Sequence, residues 1–123
     1  MVLKVLLDST YILPAFGIAV KGLSRTDLEE LERLRVEEIV EYHFTPLIWV
    51  EVVPKVLREY SSRGLGIDVS MFEKVLLALE NTAKPVDPGS LAIAIAAKLR
   101  ALGHRDMVYN MLYGVASEKT FCF

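Results

Sequence analysis

Three acidic residues stand in apolar surroundings, and together they could hold a divalent metal ion. Asp8 follows an apolar run at residues 2–7, Glu51 lies in an almost wholly apolar segment, and Asp106 opens a predicted helix. Carboxylates are rarely buried unless they are paired or bind a metal, and several together raise one another's pKa values. Mg²⁺ removes that repulsion and is typically held by a few carboxylates, water and substrate phosphate.

Each acid also has a simpler role when it is considered alone. Asp8 could cap a helix, and Asp106 could complement the dipole at a helix N-terminus. Glu51 could pair along its helix with Lys55 or Arg58, at spacings of four and seven residues. Only the three acids taken jointly indicate a metal-binding site.

The pattern along the chain predicts strands alternating with helices. The predicted strands are at 2–7, at 38–44, at 84–86 and, as the opening of a strand, at 120–123. In the first half of the chain the predicted helices are one at 9–20 kinked by Pro14, an amphipathic helix with a capping box from Thr26 to Glu29, and one from Thr45-Pro46 to about Ser62. In the second half they are one capped by Asp68, a buried helix at 88–102 capped by Asp87, and one from His104 to about Glu118. This order predicts a single α/β domain over residues 1–123 with a small parallel sheet. Ligands of such sheets bind beyond the carboxyl ends of the strands, where Asp8 stands.

Composition and charge exclude several classes of protein. The 123 residues carry 14 basic and 16 acidic side chains, for a net charge of −2, so a polyanionic substrate would need a local basic rim or a bound cation. The single cysteine, Cys122, cannot form an intrachain disulfide. No apolar run reaches the length of a membrane span, and Asp8 interrupts the N-terminal run that would form a signal peptide. We therefore expect no membrane association and a cytoplasmic location.

Three motifs resemble the PIN-domain family, many of whose members are VapC-type toxin ribonucleases of prokaryotic toxin–antitoxin pairs. They are Leu6-Leu7-Asp8-Ser9-Thr10, then Glu51 in its apolar helix, then His104-Arg105-Asp106-Met-Val-Tyr-Asn-Met-Leu-Tyr113. Their order and spacing carry the resemblance, which extends from residue 2 to about residue 117. The resemblance implies a three-layer α/β/α fold in which a small parallel sheet lies between helices.

The resemblance also implies an activity, which is the metal-dependent hydrolysis of RNA phosphodiester bonds. Asp8, Glu51 and Asp106 would be the catalytic ligands of Mg²⁺ or Mn²⁺, directly or through water. The residues expected to orient these ligands are Ser9, Thr10 and Asn110. The implied partners are the RNA substrate, an antitoxin protein and a second copy of the chain in a homodimer.

Two departures from the family pattern keep a second hypothesis open. The position seven residues before Ala116, where many relatives have an acid, is Tyr109, and Asp106 lies about one helical turn earlier. The family's further acid beyond the next strand has no counterpart up to Phe123, so Glu118 is the residue that could substitute. The alternative is a catalytically degenerate PIN-like module that binds a partner or RNA without cleaving it.

Two other families that use acidic residues are disfavoured by the sequence. A haloacid-dehalogenase-type phosphatase would need a second aspartate two positions after Asp8, where the sequence has Thr10. A response-regulator receiver would need an early pair of acidic residues, which is missing.

Overall fold

The computed structural model describes residues 2–121, in which there are six helices and a sheet of three parallel strands. In chain order the elements are β1 (Leu3–Leu6), α1 (Ser9–Ile12), a 3₁₀ turn (Leu13–Phe16), α2 (Arg25–Val36), β2 (Val40–Phe44), a second 3₁₀ turn (Pro46–Ile48), α3 (Trp49–Ser62), α4 (Val69–Thr82), β3 (Ala83–Pro85), α5 (Ser90–Ala101) and α6 (Met107–Lys119). The prediction of a mixed α/β chain with a small parallel sheet is confirmed.

The central strand of the sheet is β2, which pairs with β1 on one side and β3 on the other. Leu6 is in register with His43, and Phe44 is in register with Pro85. The backbone N–H of Leu7 extends the first ladder by donating to the carbonyl of His43 at 2.8 Å. Because the strands are parallel, their carboxyl ends lie at one edge of the sheet, and Asp8 follows directly there.

Consecutive residues of β1 and its extension belong to different hydrophobic clusters, as expected for the alternating side chains of a strand. Leu7 packs in a cluster with Tyr42 and Phe44, against which Leu31 and Leu34 of α2 and Leu79 of α4 lie. Leu6 belongs to a cluster with the buried side chains of α5 and α6. A third cluster joins α1, α3 and α4; its buried members are Ile12, Leu13, Phe16, Ile48, Val52, Val56, Tyr60 and Val75.

The helix predicted over residues 9–20 is wrong in its length. The α-helical part ends at Ile12, a 3₁₀ turn follows to Phe16, and Gly17 then adopts a left-handed backbone with φ of 78°. Pro14 lies at the start of the 3₁₀ turn, where its missing N–H costs no helical hydrogen bond. Gly17 supplies the positive φ that stops the helix at little steric cost.

The capping box of α2 lies two residues earlier than predicted. The Ser24 hydroxyl accepts a hydrogen bond from the Asp27 backbone N–H at 3.1 Å, and the Asp27 carboxylate accepts one from the Ser24 N–H at 2.9 Å. Thr26 lies within the first turn of the helix. Both pairs have the spacing of a capping box, so the prediction selected the wrong one of two adjacent signals.

The prediction for α5 is wrong in two respects. The helix begins at Ser90 after Gly89, and Asp87 is not its N-cap. It was also expected to be buried on most sides, but only Ala92 and Ala96 are buried, while Leu91 and Ile93 are each more than half exposed.

The remaining differences are small. The third strand is shifted by one residue, to Ala83–Pro85. Thr120, in the strand predicted at 120–123, has a left-handed backbone with φ of 58°, and the rest of that prediction lies partly outside the described residues. Within residues 2–121, no helix combines the length and apolarity needed to cross a membrane.

Candidate acidic site

Asp8 occupies the turn between β1 and α1 and caps the helix. Its backbone is extended, with φ of −104° and ψ of −178°, and its Oδ1 accepts a hydrogen bond of 3.0 Å from the Thr10 N–H. The capping role considered for this residue is therefore confirmed. Thr10, which was expected to help orient the acids, contributes its backbone N–H to this contact.

Ser9 connects this turn to α3. Its hydroxyl, in a residue only 5% exposed, donates a hydrogen bond of 2.7 Å to Oε1 of Glu51. Glu51 lies in the first turn of α3, which follows the carboxyl end of β2 through a short 3₁₀ turn. Ser9, the residue that follows Asp8, is therefore in direct contact with Glu51.

Lys55 lies one turn further along α3 and forms an ion pair with Glu51. Its Nζ is 2.8 Å from Oε1 of Glu51 and 3.5 Å from the hydroxyl oxygen of Ser9, which is a much weaker contact. Pairing with Lys55 was one of the two simple roles foreseen for Glu51, and the structure selects it over Arg58. The i, i+4 spacing made this pair one of the alternatives that the sequence left open.

The pKa of Glu51 lies below its ordinary value of 4.5. Partial burial is the largest single influence and raises the pKa, because it disfavours the charged form. The hydrogen bonds from Lys55 and Ser9, together with the positive charge of Lys55, outweigh that effect. Glu51 is therefore an ionised carboxylate at neutral pH.

The site keeps oxygen atoms that a metal ion could use. The hydrogen bonds of Glu51 all reach Oε1, and that of Asp8 reaches Oδ1, so within residues 2–121 no hydrogen bond reaches Oε2 or Oδ2. Carboxylate oxygens are the ligands that Mg²⁺ prefers, and one or two carboxylates with water and phosphate oxygens are sufficient for it. The donor set at the end of β1 therefore fits a hard divalent ion.

Asp106 lies at the N-terminus of α6, where its carboxylate accepts a hydrogen bond of 3.0 Å from the Tyr109 N–H. Asn110 is 1% exposed, and its side-chain amide donates to the carbonyl of His104 at 2.6 Å. Both contacts stabilise the entry to α6. In the part of the chain described, no hydrogen bond or ion pair connects Asp106 or Asn110 to Asp8 or Glu51.

The three predicted ligands do not form a single cluster. Among residues 2–121, no group of three His, Cys, Asp or Glu side chains lies close enough to share a metal ion. The structure joins Glu51 to Ser9, the residue that follows Asp8, and the participation of Asp8 and Asp106 in a metal site stays a prediction.

Glu118, the residue considered as a substitute for a fourth acid, is engaged elsewhere. Its two carboxylate oxygens accept hydrogen bonds of 3.1 Å from the backbone N–H groups of Gly89 and Ala92. These are orphan donors at the N-terminus of α5. Glu118 therefore caps α5 from the neighbouring helix.

Thr45 is a buried polar residue whose environment the sequence did not indicate. It was expected to cap the helix that follows β2, but its hydroxyl makes no capping hydrogen bond. Its Oγ1 is buried without a hydrogen-bond partner among the described residues, and the same is true of Oδ1 of Asn110. Because Pro46 has no N–H, the turn after Thr45 offers one donor fewer than an ordinary helix start.

Two clefts of the molecule do not include the three predicted ligands in their linings. A cleft of about 230 Å³ lies between α1, α2, β2 and α4, and one of about 400 Å³ lies beside the start of β2 and β3. Neither is lined by Asp8, Glu51 or Asp106. The side chains of Glu51 and Lys55 are instead partly exposed to solvent.

Comparison with known proteins gave no match to this chain among family models, curated proteins or solved structures.

Proposed function

We propose that this chain is a PIN-like endoribonuclease that hydrolyses RNA phosphodiester bonds with Mg²⁺ or Mn²⁺ held by acidic residues, as in VapC-type toxins. The proposal includes a three-layer α/β/α arrangement with the sheet between helices. The assignment of Leu6 and Leu7 to clusters with different sets of helices supports that arrangement.

The observation that carries the proposal is the hydrogen bond between Ser9 and Glu51. The resemblance implies that the hydroxyl residue after a strand-end aspartate and a helical glutamate belong to one site. In this chain the two are 42 residues apart and joined at 2.7 Å beyond the carboxyl end of β1. That edge of a parallel sheet is where ligands of α/β folds bind.

In the proposed site Asp8 and Glu51 hold the ion through the oxygen atoms that their hydrogen bonds leave free. Ser9 keeps Glu51 in place, and the Thr10 N–H keeps Asp8 in place. The resemblance implies Asp106 as a further ligand, which would act through water because no group of three such side chains among residues 2–121 lies close enough to share an ion. When bound, the ion supplies charge neutralisation at the scissile phosphate and lowers the pKa of an attacking water.

Two features of the proposed site favour an anionic polymer as substrate. Glu51, Lys55 and Arg58 follow one another at spacings of four and three residues, so they share one side of the helix. This arrangement places Lys55 against the acid and Arg58 about one turn further along the helix, and the two cations give the local basic rim that a chain of net charge −2 needs to bind RNA. The location of the acids outside the two clefts also suits an extended strand better than an enclosed small molecule.

The resemblance extends the proposal to a setting in the cytoplasm, with a homodimer and an antitoxin as partners. Several large apolar side chains of α5 and α6 are about half exposed, and such surface supports the proposal of a protein partner; these side chains include Leu91, Ile93 and Tyr113.

A catalytically degenerate PIN-like module that binds RNA or a protein is the second candidate. The favouring observation is that Glu51 is already neutralised by Lys55 and that Asp106 serves as a helix cap. Such a protein would keep the fold and the exposed apolar surface without binding a metal.

The test is cleavage of a mixed-sequence RNA with Mg²⁺ or Mn²⁺ by the wild type, Asp8→Asn and Asp68→Asn. Asp68 is a matched control because it caps α4 through Ser70 in the same way that Asp8 caps α1 through Thr10. Asparagine is as good an N-cap as aspartate, so both variants should fold. We expect Asp8→Asn alone to lose cleavage; metal-dependent cleavage that survives Asp8→Asn would refute the proposal.

A further inference from the structure

We propose that Lys55 is a built-in counter-ion of the acidic site, which competes electrostatically with a divalent metal for Glu51, so that the metal binds more tightly when the ammonium group is removed. This inference rests on the proposed metal site and concerns how its occupancy is controlled.

The contacts of Lys55 are directed to the site. Its ammonium group lies 2.8 Å from Oε1 of Glu51, with the Ser9 hydroxyl as a more distant neighbour at 3.5 Å. Oε1 of Glu51 is thus contacted by Ser9 and by Lys55 at once, and the two donors together fix the carboxylate. The Lys55 ammonium group is therefore in direct contact with the carboxylate that would hold the metal ion.

Charge balance explains why the Lys55 ammonium group lies beside Glu51. The side chain of Glu51 is 24% exposed, and a carboxylate withdrawn this far from water is stabilised by a nearby cation. A divalent ion at Glu51 would supply the same compensation. The ammonium and the divalent ion cannot both lie against this carboxylate at low cost, because like charges about 4 Å apart repel even in a solvated site.

The side chain of Lys55 is able to move away. It is 40% exposed, and lysine carries its charge on a flexible four-carbon stem. An exchange between ammonium and metal therefore requires a rotation of the Lys55 side chain and no change in α3. Part of the free energy of metal binding is used to break the ion pair, so the observed affinity is lower than the carboxylates alone would provide.

The experiment measures Mn²⁺ binding by calorimetry at neutral pH, with the metal alone and no RNA. Lys55→Met and Lys55→Gln remove the charge, and Lys55→Arg keeps it. Lys74→Met, at an exposed position of α4, is the control for loss of a positive charge elsewhere. We expect Lys55→Met and Lys55→Gln to bind Mn²⁺ about tenfold more tightly than the wild type. Lys55→Arg and Lys74→Met should stay within about twofold of the wild-type affinity.

A second readout is thermal denaturation with and without Mn²⁺. Without metal, Lys55→Met should unfold at a lower temperature than the wild type, because Glu51 loses its counter-ion. Added Mn²⁺ should then raise its Tm by more than it raises that of the wild type. The double variant Glu51→Gln with Lys55→Met should show neither the tighter Mn²⁺ binding nor the larger rise of Tm.

Three outcomes would overturn the inference. If the wild type binds Mn²⁺ and neither Lys55→Met nor Lys55→Gln binds more tightly, Lys55 does not compete and the proposed metal site still stands. If the gain persists when Glu51 is also replaced, the competition does not act through Glu51. If no variant binds Mn²⁺, both the inference and the proposed metal-dependent function fail.

Discussion

The hydroxyl of Ser9 and Oε1 of Glu51 lie 2.7 Å apart, although 42 residues separate them in the chain. This hydrogen bond joins the turn after β1 to the first turn of α3, so it links two connections at the same edge of the sheet. The first turn of α3 is thereby held against the residue that follows Asp8. Any reaction that uses both Asp8 and Glu51 depends on this hydrogen bond, because it fixes the position of Glu51 relative to the turn that contains Asp8.

Ser9→Ala should lower the free energy of unfolding by about 1 kcal/mol, because a mostly buried hydrogen bond to a charged group is lost. It should also reduce RNA cleavage, since Glu51 would then be held by Lys55 alone. Urea denaturation and the cleavage assay measure the two effects. Ser62→Ala is the control, because Ser62 donates only an exposed hydrogen bond to the Glu59 carbonyl. Equal stability of the two variants would show that the contact has no structural role.

Asp106→Asn separates the capping role of this residue from its proposed role as a metal ligand. Asparagine caps a helix as well as aspartate does, so the free energy of unfolding should change by less than about 0.5 kcal/mol. If Asp106 is the third ligand, calorimetry should show that Mn²⁺ binds about tenfold more weakly than to the wild type. The same titration with Asp68→Asn gives the baseline. Unchanged affinity would restrict Asp106 to its helix.

Glu118 should make stability depend on pH in the acid range. Hydrogen bonds from the N–H groups of Ala92 and Gly89 hold the pKa of Glu118 below its ordinary value of 4.5, against the opposing effect of burial. A depressed pKa in the folded state contributes stability that is fully present above pH 4.5 and is lost as the pH falls through the folded value. The wild type should exceed Glu118→Gln in stability at pH 7 by more than it does at pH 3. Chemical denaturation across this range measures the difference, and a constant gap would contradict the pKa shift.

Gly114→Ala should destabilise the pair of helices formed by α5 and α6. A Cβ atom at position 114 would lie 2.3 Å from the carbonyl oxygen of Ala92, a backbone atom that cannot move without shifting α5. Overpacking of this kind costs about 1–3 kcal/mol. Gly66→Ala is the matched control, because no atom lies within 4 Å of the added carbon and the φ there is not positive. Comparable stability of the two variants in urea would contradict the close approach of the helices.

Local signals predicted much of the fold. Asp68 caps α4 as the sequence indicated, and Asp8 and Asp106 stand at the starts of the helices that follow them. These features depend on hydrogen bonds between residues two or three positions apart, which the chain forms wherever the backbone turns into a helix. Where two such signals overlapped, the prediction chose Thr26, whereas the chain uses Ser24.

The burial of α5 was beyond a local prediction. Its run of Ala, Ile and Leu is typical of a helix covered on most sides, but its buried residues are only Ala92 and Ala96. The small residue Gly114 allows α6 to approach this alanine face closely, while Leu91 and Ile93 stay more than half exposed. Composition measures how apolar a helix is, and only the packing of neighbouring elements decides which of its faces are covered.

The sequence by itself determined the helix caps at Asp8 and Asp68 and the position of Asp8 after a strand, and it offered Lys55 as one of the possible partners of Glu51. Each of these depends on residues within a few positions of one another, so propensity and spacing are sufficient. Only the tertiary structure decided that Ser9 reaches Glu51 and that Glu118 caps α5. These contacts join residues 26 to 42 positions apart, and they form only once the strands and helices have taken their places.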